Sequence, residues 1–345
     1  MEVDAPLLNE DAPPLVEDEQ IPAEDVSLTD VDPVNTDTPQ EPAAEESPFA
    51  TRWREIYRRS PRTMARSVAL SALDRWQSVT GKTSSWLAAP RVQILLLHHV
   101  FPDEERAFRR LLKLLTRTSK MVSYSEALHL ATIGGAEMDR PFVPCTFDDG
   151  FKNCVRAGEI LKEFNAGACF FICPSMIGEN DMVKVRSFCS DRLELVGRPV
   201  EFMDADDLTK LKSLGHEIGG HTMTHANLAK VTPQQATDEI GKCFDVIKRN
   251  FGEAKHFAWT YGKFTDCTGD AARDVFRTGF TSCASGERGC HGPNRAATNQ
   301  PLCVRRDHVI AGAPLSHVRY FLAKASADMS PHTGDWPPWW GDVKC

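Results

Sequence analysis

Apolar positions along the chain alternate between short continuous runs and stretches with helical spacing. Pro90 precedes Val92–Val100 (VQILLLHHV), a near-continuous apolar run of the kind buried in a parallel sheet. Helical spacing follows over Glu104–Thr118 and, more briefly, Ser123–Leu130. Phe142–Phe147 reads as a strand, Cys154–Phe164 as a helix and Ala168–Cys173 as a strand, while residues 178–204 read as an irregular insertion. Asp204–Leu214 is a helix opened by an Asp cap and closed at Gly215. His216–Gly220 then gives a strand, Pro233–Phe251 a long helix and His256–Thr260 a strand. Gly269–Thr278, Phe280–Ser285, Cys303–Val309 and Ser316–Ala325 complete the pattern. Such alternation argues for an α/β fold with a parallel sheet. About seven strand–helix units suit a barrel better than an open sheet.

Charge divides the chain. Residues 1–50 hold 15 Asp or Glu, eight prolines and no Lys or Arg, so the net charge of −8 leaves +7 for the remainder. Too little apolar surface lies in 1–50 to offset ordering entropy, and the segment reads as a disordered acidic tail. Residues 51–90 read as a basic, amphipathic helical linker, 91–330 as the main folded domain and 331–345 as a C-terminal tail. In the linker, Met64, Val68, Ala72 and Val79 fall near one helical face with Leu73 and Trp76 beside it. A basic amphipathic helix can lie on an anionic membrane, so weak membrane-surface contact through 51–79 is one expectation and packing on its own domain the other. No secretory leader and no run of about 18 apolar residues is visible, which reads as a cytoplasmic protein, peripheral at a membrane if the linker binds one. The 11 cysteines include no CxxC pair. Cys145, Cys154, Cys169 and Cys173 lie in or beside apolar runs, whereas Cys267, Cys283 and Cys290 sit in loop-like sequence and could be bridged in an oxidising compartment. Nothing points to a nucleic-acid partner.

Polar residues concentrate where strands end, the place where α/β folds build sites. Thr146-Phe147-Asp148-Asp149-Gly150 follows an apolar strand. Adjacent carboxylates there cannot share one orientation, so one can bind a metal while the other serves as a base. The plain alternative is a turn capping the next helix. His221-Thr222-Met223-Thr224-His225 follows the strand EIGG. Its imidazoles, four residues apart, converge on one ion if the segment forms a helical turn; otherwise they are exposed turn residues. Two histidines and one carboxylate, with positions left for water, form the inventory of a hydrolytic metal site.

TFDDG followed about 70 residues later by HTMTH resembles the first two motifs of the polysaccharide deacetylases, carbohydrate esterase family four. The resemblance covers about residues 91–325. It implies a distorted (β/α)7 barrel, one divalent metal, commonly Zn2+, and an N-acetylated carbohydrate substrate. On that basis Asp149, His221 and His225 are the ligands, and Asp148 is the general base that takes a proton from the attacking water. The HHV segment is similar to the tyrosine-histidine segment of relatives acting on poly-N-acetylglucosamine, with Leu97 in place of the tyrosine. This makes His98 a candidate general acid or a support for it, the alternative being a core-facing histidine; His99 is expected on the opposite face. The third motif departs: Ala258-Trp259-Thr260-Tyr261 stands where Arg-x-Pro-Tyr is usual, so the arginine that steadies the catalytic Asp is missing. The Tyr261 N–H remains available to an oxyanion, and a family branch with Phe-Ala-Tyr-Pro is closer to this stretch. The last motif has no clear match, and His308 is the other candidate acid.

The reading is therefore a metal-dependent hydrolase removing N-acetyl groups from amino-sugar units. A sugar O-acetyl esterase is one alternative, and a non-catalytic carbohydrate-binding relative is another. A metallophosphatase is disfavoured, because no further ligand cluster for a second metal is visible.

Overall fold

The computed structural model describes residues 47–57, 61–133, 138–292 and 302–327. The expectations for 1–46 and 331–345 lie outside the described residues. Helices α1 (Pro61–Val79) and α2 (Lys82–Ala88) come first. Then follow β1 (Arg91–Val92), β2 (Ile94–Leu97), α3 (Glu105–Thr118), β3 (Lys120–Met121) and α4 (Tyr124–Ile133). The middle of the chain forms β4 (Pro141–Val143), β5 (Cys145–Phe147), α5 (Asn153–Glu163), β6 (Ala168–Ile172), α6 (Met182–Asp191) and α7 (Ala205–Ser213). The last part holds β7 (Glu217–Gly220), α8 (Pro233–Phe251), β8 (His256–Ala258), α9 (Gly269–Thr278), β9 (Ser282–Ala284), β10 (Leu302–Val304), β11 (Arg306–His308) and α10 (Leu315–Ala327).

Local chemistry explains the sharpest boundaries. At α8, Thr232 accepts from Gln235 N–H while the Gln235 side chain accepts from Thr232 N–H, and Pro233 fills the first turn. Gly252, with φ 81°, ends that helix in the left-handed conformation glycine tolerates. In α3 the buried residues Phe108, Leu111, Leu112 and Leu115 follow i, i+3, i+4, i+7, so one stripe seats the helix on the sheet.

The main sheet is parallel throughout, in the order β10-β9-β8-β7-β6-β5-β2-β11. Its two end strands are separated in the chain by Arg305 alone: β10 pairs with β9 and β11 pairs with β2. They act as one bent stave, so seven staves close a distorted (β/α)7 barrel, as expected. A small outer sheet, β1-β4-β3, shares chain segments with it. Residues 91–97 and 141–147 each begin in the outer sheet and end in the barrel. The second change of sheet falls at Pro144, which has no N–H to give to a ladder.

Side chains alternate across each stave. Ile94, Cys169, Phe171, Ala258, Ala284 and Val304 form one buried cluster, the barrel interior. Leu95, Phe147, Phe170, Phe257 and Cys283 belong to the larger cluster beneath the helices. Gly219 lies on the interior side, where a Cβ would stand 2.5 Å from Cδ1 of Phe171; a bare backbone there gives the phenylalanine ring its room.

Several boundaries differ from the sequence reading. The first strand ends at Leu97 rather than Val100, and the segment 178–204 contains α6, opened by Asp181 accepting from Val183 N–H at 2.9 Å. Cys267 and Cys283 are buried thiols, and Cys290 donates to the Ala325 carbonyl, so the loop-like cysteines are not bridged to one another. Upstream of α1, residues 47–57 lie along the barrel: Ala50 N–H donates to Pro199 O at 2.8 Å and Ile56 is buried. Among the described residues no helix is long and apolar enough to cross a membrane.

Candidate active site

Continuing the inward alternation to the carboxyl end of each stave delivers the site. Thr146 leads to Asp148, Gly219 to His221 and Arg306 to His308, while Leu96 leads to His98. All of these except Thr146 and Gly219 line a cavity of about 300 Å³ at the carboxyl ends of the staves. Asp149 and His225 join them through irregular backbone: φ is 74° at Asp149, 58° at Thr222, 56° at His225 and 61° at Tyr261. A left-handed non-glycine residue costs about 1–3 kcal/mol and persists only where its surroundings enforce it. The HTMTH segment is therefore not the helical turn the spacing suggested. It is a loop clamped by Glu239, whose carboxylate accepts from Thr224 N–H at 2.8 Å and from its hydroxyl at 2.7 Å.

Asp149, His221 and His225 converge, with one ligand atom from each within 4.8 Å of the others. Asp149 Oδ1 lies 3.5 Å from His221 Nε2 and 3.4 Å from His225 Nε2. These are long for hydrogen bonds, and the buried oxygen has no hydrogen-bond partner among the described residues. Tetrahedral ligands about 2.1 Å from one ion sit about 3.4 Å apart, so the spacing fits a single divalent cation. His221 donates Nδ1–H to the Ala258 carbonyl at 2.8 Å, leaving Nε2 its lone pair, as a metal-ligating histidine requires. Burial alone would raise the Asp149 pKa, but the two imidazoles outweigh it and hold the group well below the usual carboxylate range.

Asp148 has a different environment. Arg306 grips it in a fork, Nη1 to Oδ1 at 2.7 Å and Nη2 to Oδ2 at 2.8 Å. The same guanidinium donates to Thr146 Oγ1 at 3.2 Å and to Ser285 O at 2.8 Å, and lies over the Phe171 ring. Burial pushes the Asp148 pKa up, yet Arg306 and His221 pull it below its ordinary value, so the group stays ionised. The arginine missing at Ala258 is thus replaced from β11. Sequence reasoning overlooked Arg306 by attending only to His308 in RRDHVI. A charged residue at an inward position of a barrel strand was the available signal.

His98 is half-buried, and its ring meets that of His308 edge-on at 5.1 Å. His99 does not point to an opposite face. The strand has ended by then, and His99 lines the same cavity, stacked on Phe151 at 4.4 Å and Phe101 at 5.1 Å. Burial takes its pKa down to about 3, so it stays neutral. Tyr261 packs on His225 at 4.9 Å and donates its hydroxyl to Arg192 O at 3.0 Å. Gly262 and Gly286 let the loops after β8 and β9 touch, since a Cβ on Gly262 would stand 2.7 Å from Gly286 Cα. Tyr57, from the segment before α1, supplies part of the cavity wall that the motifs did not reveal.

The family model described as polysaccharide deacetylase matches residues 135–278. Solved structures agree on the fold. The Streptococcus pyogenes deacetylase PplD, in complex with acetate, is 16% identical with a TM-score of 0.53 over 68% of this chain and 99% of that one. IcaB from Ammonifex degensii is 17% identical with a TM-score of 0.51 over 68% and 98%. The polysaccharide deacetylase BC0361 from Bacillus cereus is 14% identical with a TM-score of 0.51 over 67% and 69%. Comparison with curated proteins finds no match.

Proposed function

We propose that this protein is a metal-dependent hydrolase that removes N-acetyl groups from amino-sugar units of a poly- or oligosaccharide. One observation carries the reading: two adjacent carboxylates are held in different chemical settings, Asp149 against two imidazoles and Asp148 against a guanidinium. Asp149, His221 and His225 would hold a divalent ion, and zinc suits one carboxylate with two imidazoles. When bound, such an ion supplies Lewis acidity that polarises the acetyl carbonyl and acidifies water.

The remaining roles fall to the chain's own groups. Asp148 is ionised, and each of its oxygens keeps a second lone pair beyond the bond to Arg306, so it can take the proton of an attacking water. Arg306 fixes its orientation. The Tyr261 N–H, at a left-handed turn on the cavity rim, is assigned to the negative oxygen that develops. His98 is assigned proton delivery to the leaving amine, with His308 packed against it.

Acetate release tests the reading. Purified protein, with zinc added or chelated, is given N-acetylglucosamine oligomers and O-acetylated xylo-oligosaccharides in parallel. Acetate from the N-acetylated substrate that chelation abolishes supports the proposal. Release only from the O-acetylated substrate makes the protein an ester deacetylase. Sugar binding without release from either makes it a binding relative.

A further inference from the structure

Helix α1 is packed inside out. Its seat on α10 is polar: Ser71 Oγ meets Ser316 Oγ at 3.0 Å, His317 Nε2 lies 2.9 Å from Ser67 O, and Arg319 donates to Ser78 Oγ at 2.6 Å. Asp74 is buried on the same side, 3.6 Å from Arg319 Nε. At 100° per residue these positions share one side with half-buried Leu70, while Val68, Ala72, Trp76 and Val79 fall on the other and Met64 lies at its edge. Met64 is 61% exposed, Val68 71%, Trp76 59% and Val79 82%, with exposed Ala72 between them. A helix that stabilises its own domain turns the apolar stripe to the core. Here that stripe faces out, and contiguous exposed apolar surface marks an interaction site.

Among the described residues the exposed charges of the helix are positive. Arg66 and Arg75 are exposed on the helix, and Lys82 opens α2 with Nζ 5.6 Å from the Trp76 ring centroid. The single acid of α1, Asp74, is turned away. From Thr51 to Lys82 the sequence holds eight Lys or Arg against two Asp or Glu. Aliphatic residues and a tryptophan on one face, with arginines beside them, match a helix lying in the boundary between lipid headgroups and acyl chains.

We propose that α1 docks on an anionic lipid surface, with Met64, Val68, Trp76 and Val79 entering the boundary and Arg66, Arg75 and Lys82 meeting phosphates. The proposal is independent of the deacetylase reading. The test is co-sedimentation of the full chain with vesicles of phosphatidylcholine, alone or with about a third phosphatidylglycerol, at low and high salt. Binding to the anionic vesicles, weakened by salt and lost in the Val68→Glu, Trp76→Glu double variant, supports it. An Arg66→Gln, Arg75→Gln variant should bind about fivefold more weakly per charge removed. Unchanged melting temperature and metal content in both variants exclude misfolding as the cause. No binding to anionic vesicles overturns the proposal, as does equal binding to neutral ones. A concentration-dependent dimer that the double variant dissolves, without vesicle binding, assigns the face to a second copy instead.

Discussion

Replacing Arg306 with methionine removes both bonds to Asp148 while roughly keeping the volume that fills the barrel. Asp148 is 3% exposed, and the nearest remaining group able to carry positive charge is His221, 3.9 Å away. Stranding one member of a buried ion pair costs about 3–5 kcal/mol. At 2–4 °C per kcal/mol for a domain of this size, the midpoint should fall by about 10 °C at neutral pH. The pH dependence carries the diagnostic sign. In the native protein the Asp148 pKa is depressed, so the pair contributes stability above the unfolded value near 4 and loses it as pH falls through the folded value. Without Arg306, burial dominates and the folded pKa rises above the unfolded one. The variant is then penalised as pH rises past about 4. Denaturant unfolding from about pH 4.5 to 7.5 should show the gap between native and variant widening upward. Arg306→Lys, which keeps the charge but not the fork, should fall between them. A gap under about 1 kcal/mol, or one independent of pH, refutes the reasoning.

Three further outcomes follow from particular contacts. Glu104 is buried, accepts from Phe101 N–H at 3.1 Å and Gly312 N–H at 2.8 Å, and burial raises its pKa to about 7. Its folded pKa exceeds the unfolded one, so it lowers stability as pH rises from about 4.5 to 7 by up to about 3 kcal/mol; Glu104→Gln should flatten that part of the melting profile. Gly219→Ala forces a Cβ against Phe171 and the His256 carbonyl, 2.9 Å away, and should cost about 1–3 kcal/mol by thermal unfolding. If His98 delivers the proton, His98→Ala should lower turnover about 10²–10⁴-fold with metal retained and His308→Ala should do less, a ranking that steady-state kinetics with metal analysis checks.

The barrel was legible because its punctuation is local. Pro233–Phe251 and Gly269–Thr278 carry Thr caps at their starts and glycines at their ends, and both were read to the residue. Alternation along β5 and β7 also turns Asp148 and His221 toward the cavity, whereas Asp149 and His225 arrive through left-handed backbone that alternation does not describe. What failed depended on partners distant in sequence. The HTMTH loop takes its shape from Glu239, and the fork on Asp148 comes from a residue 158 positions away. Likewise, apolar spacing in α1 revealed an amphipathic helix but not that its serines, rather than its valines, meet α10.

Metal content and acetate release, measured together for Asp148→Asn and Asp149→Asn, test the central claim most directly. Asp148→Asn should keep about one divalent ion and lose about 10²–10⁴ of turnover on N-acetylated oligosaccharide, the worth of a general base. Asp149→Asn should lose the ion and regain part of its activity when metal is added. The reverse pattern exchanges the two roles, and full activity in both variants contradicts the deacetylase site altogether.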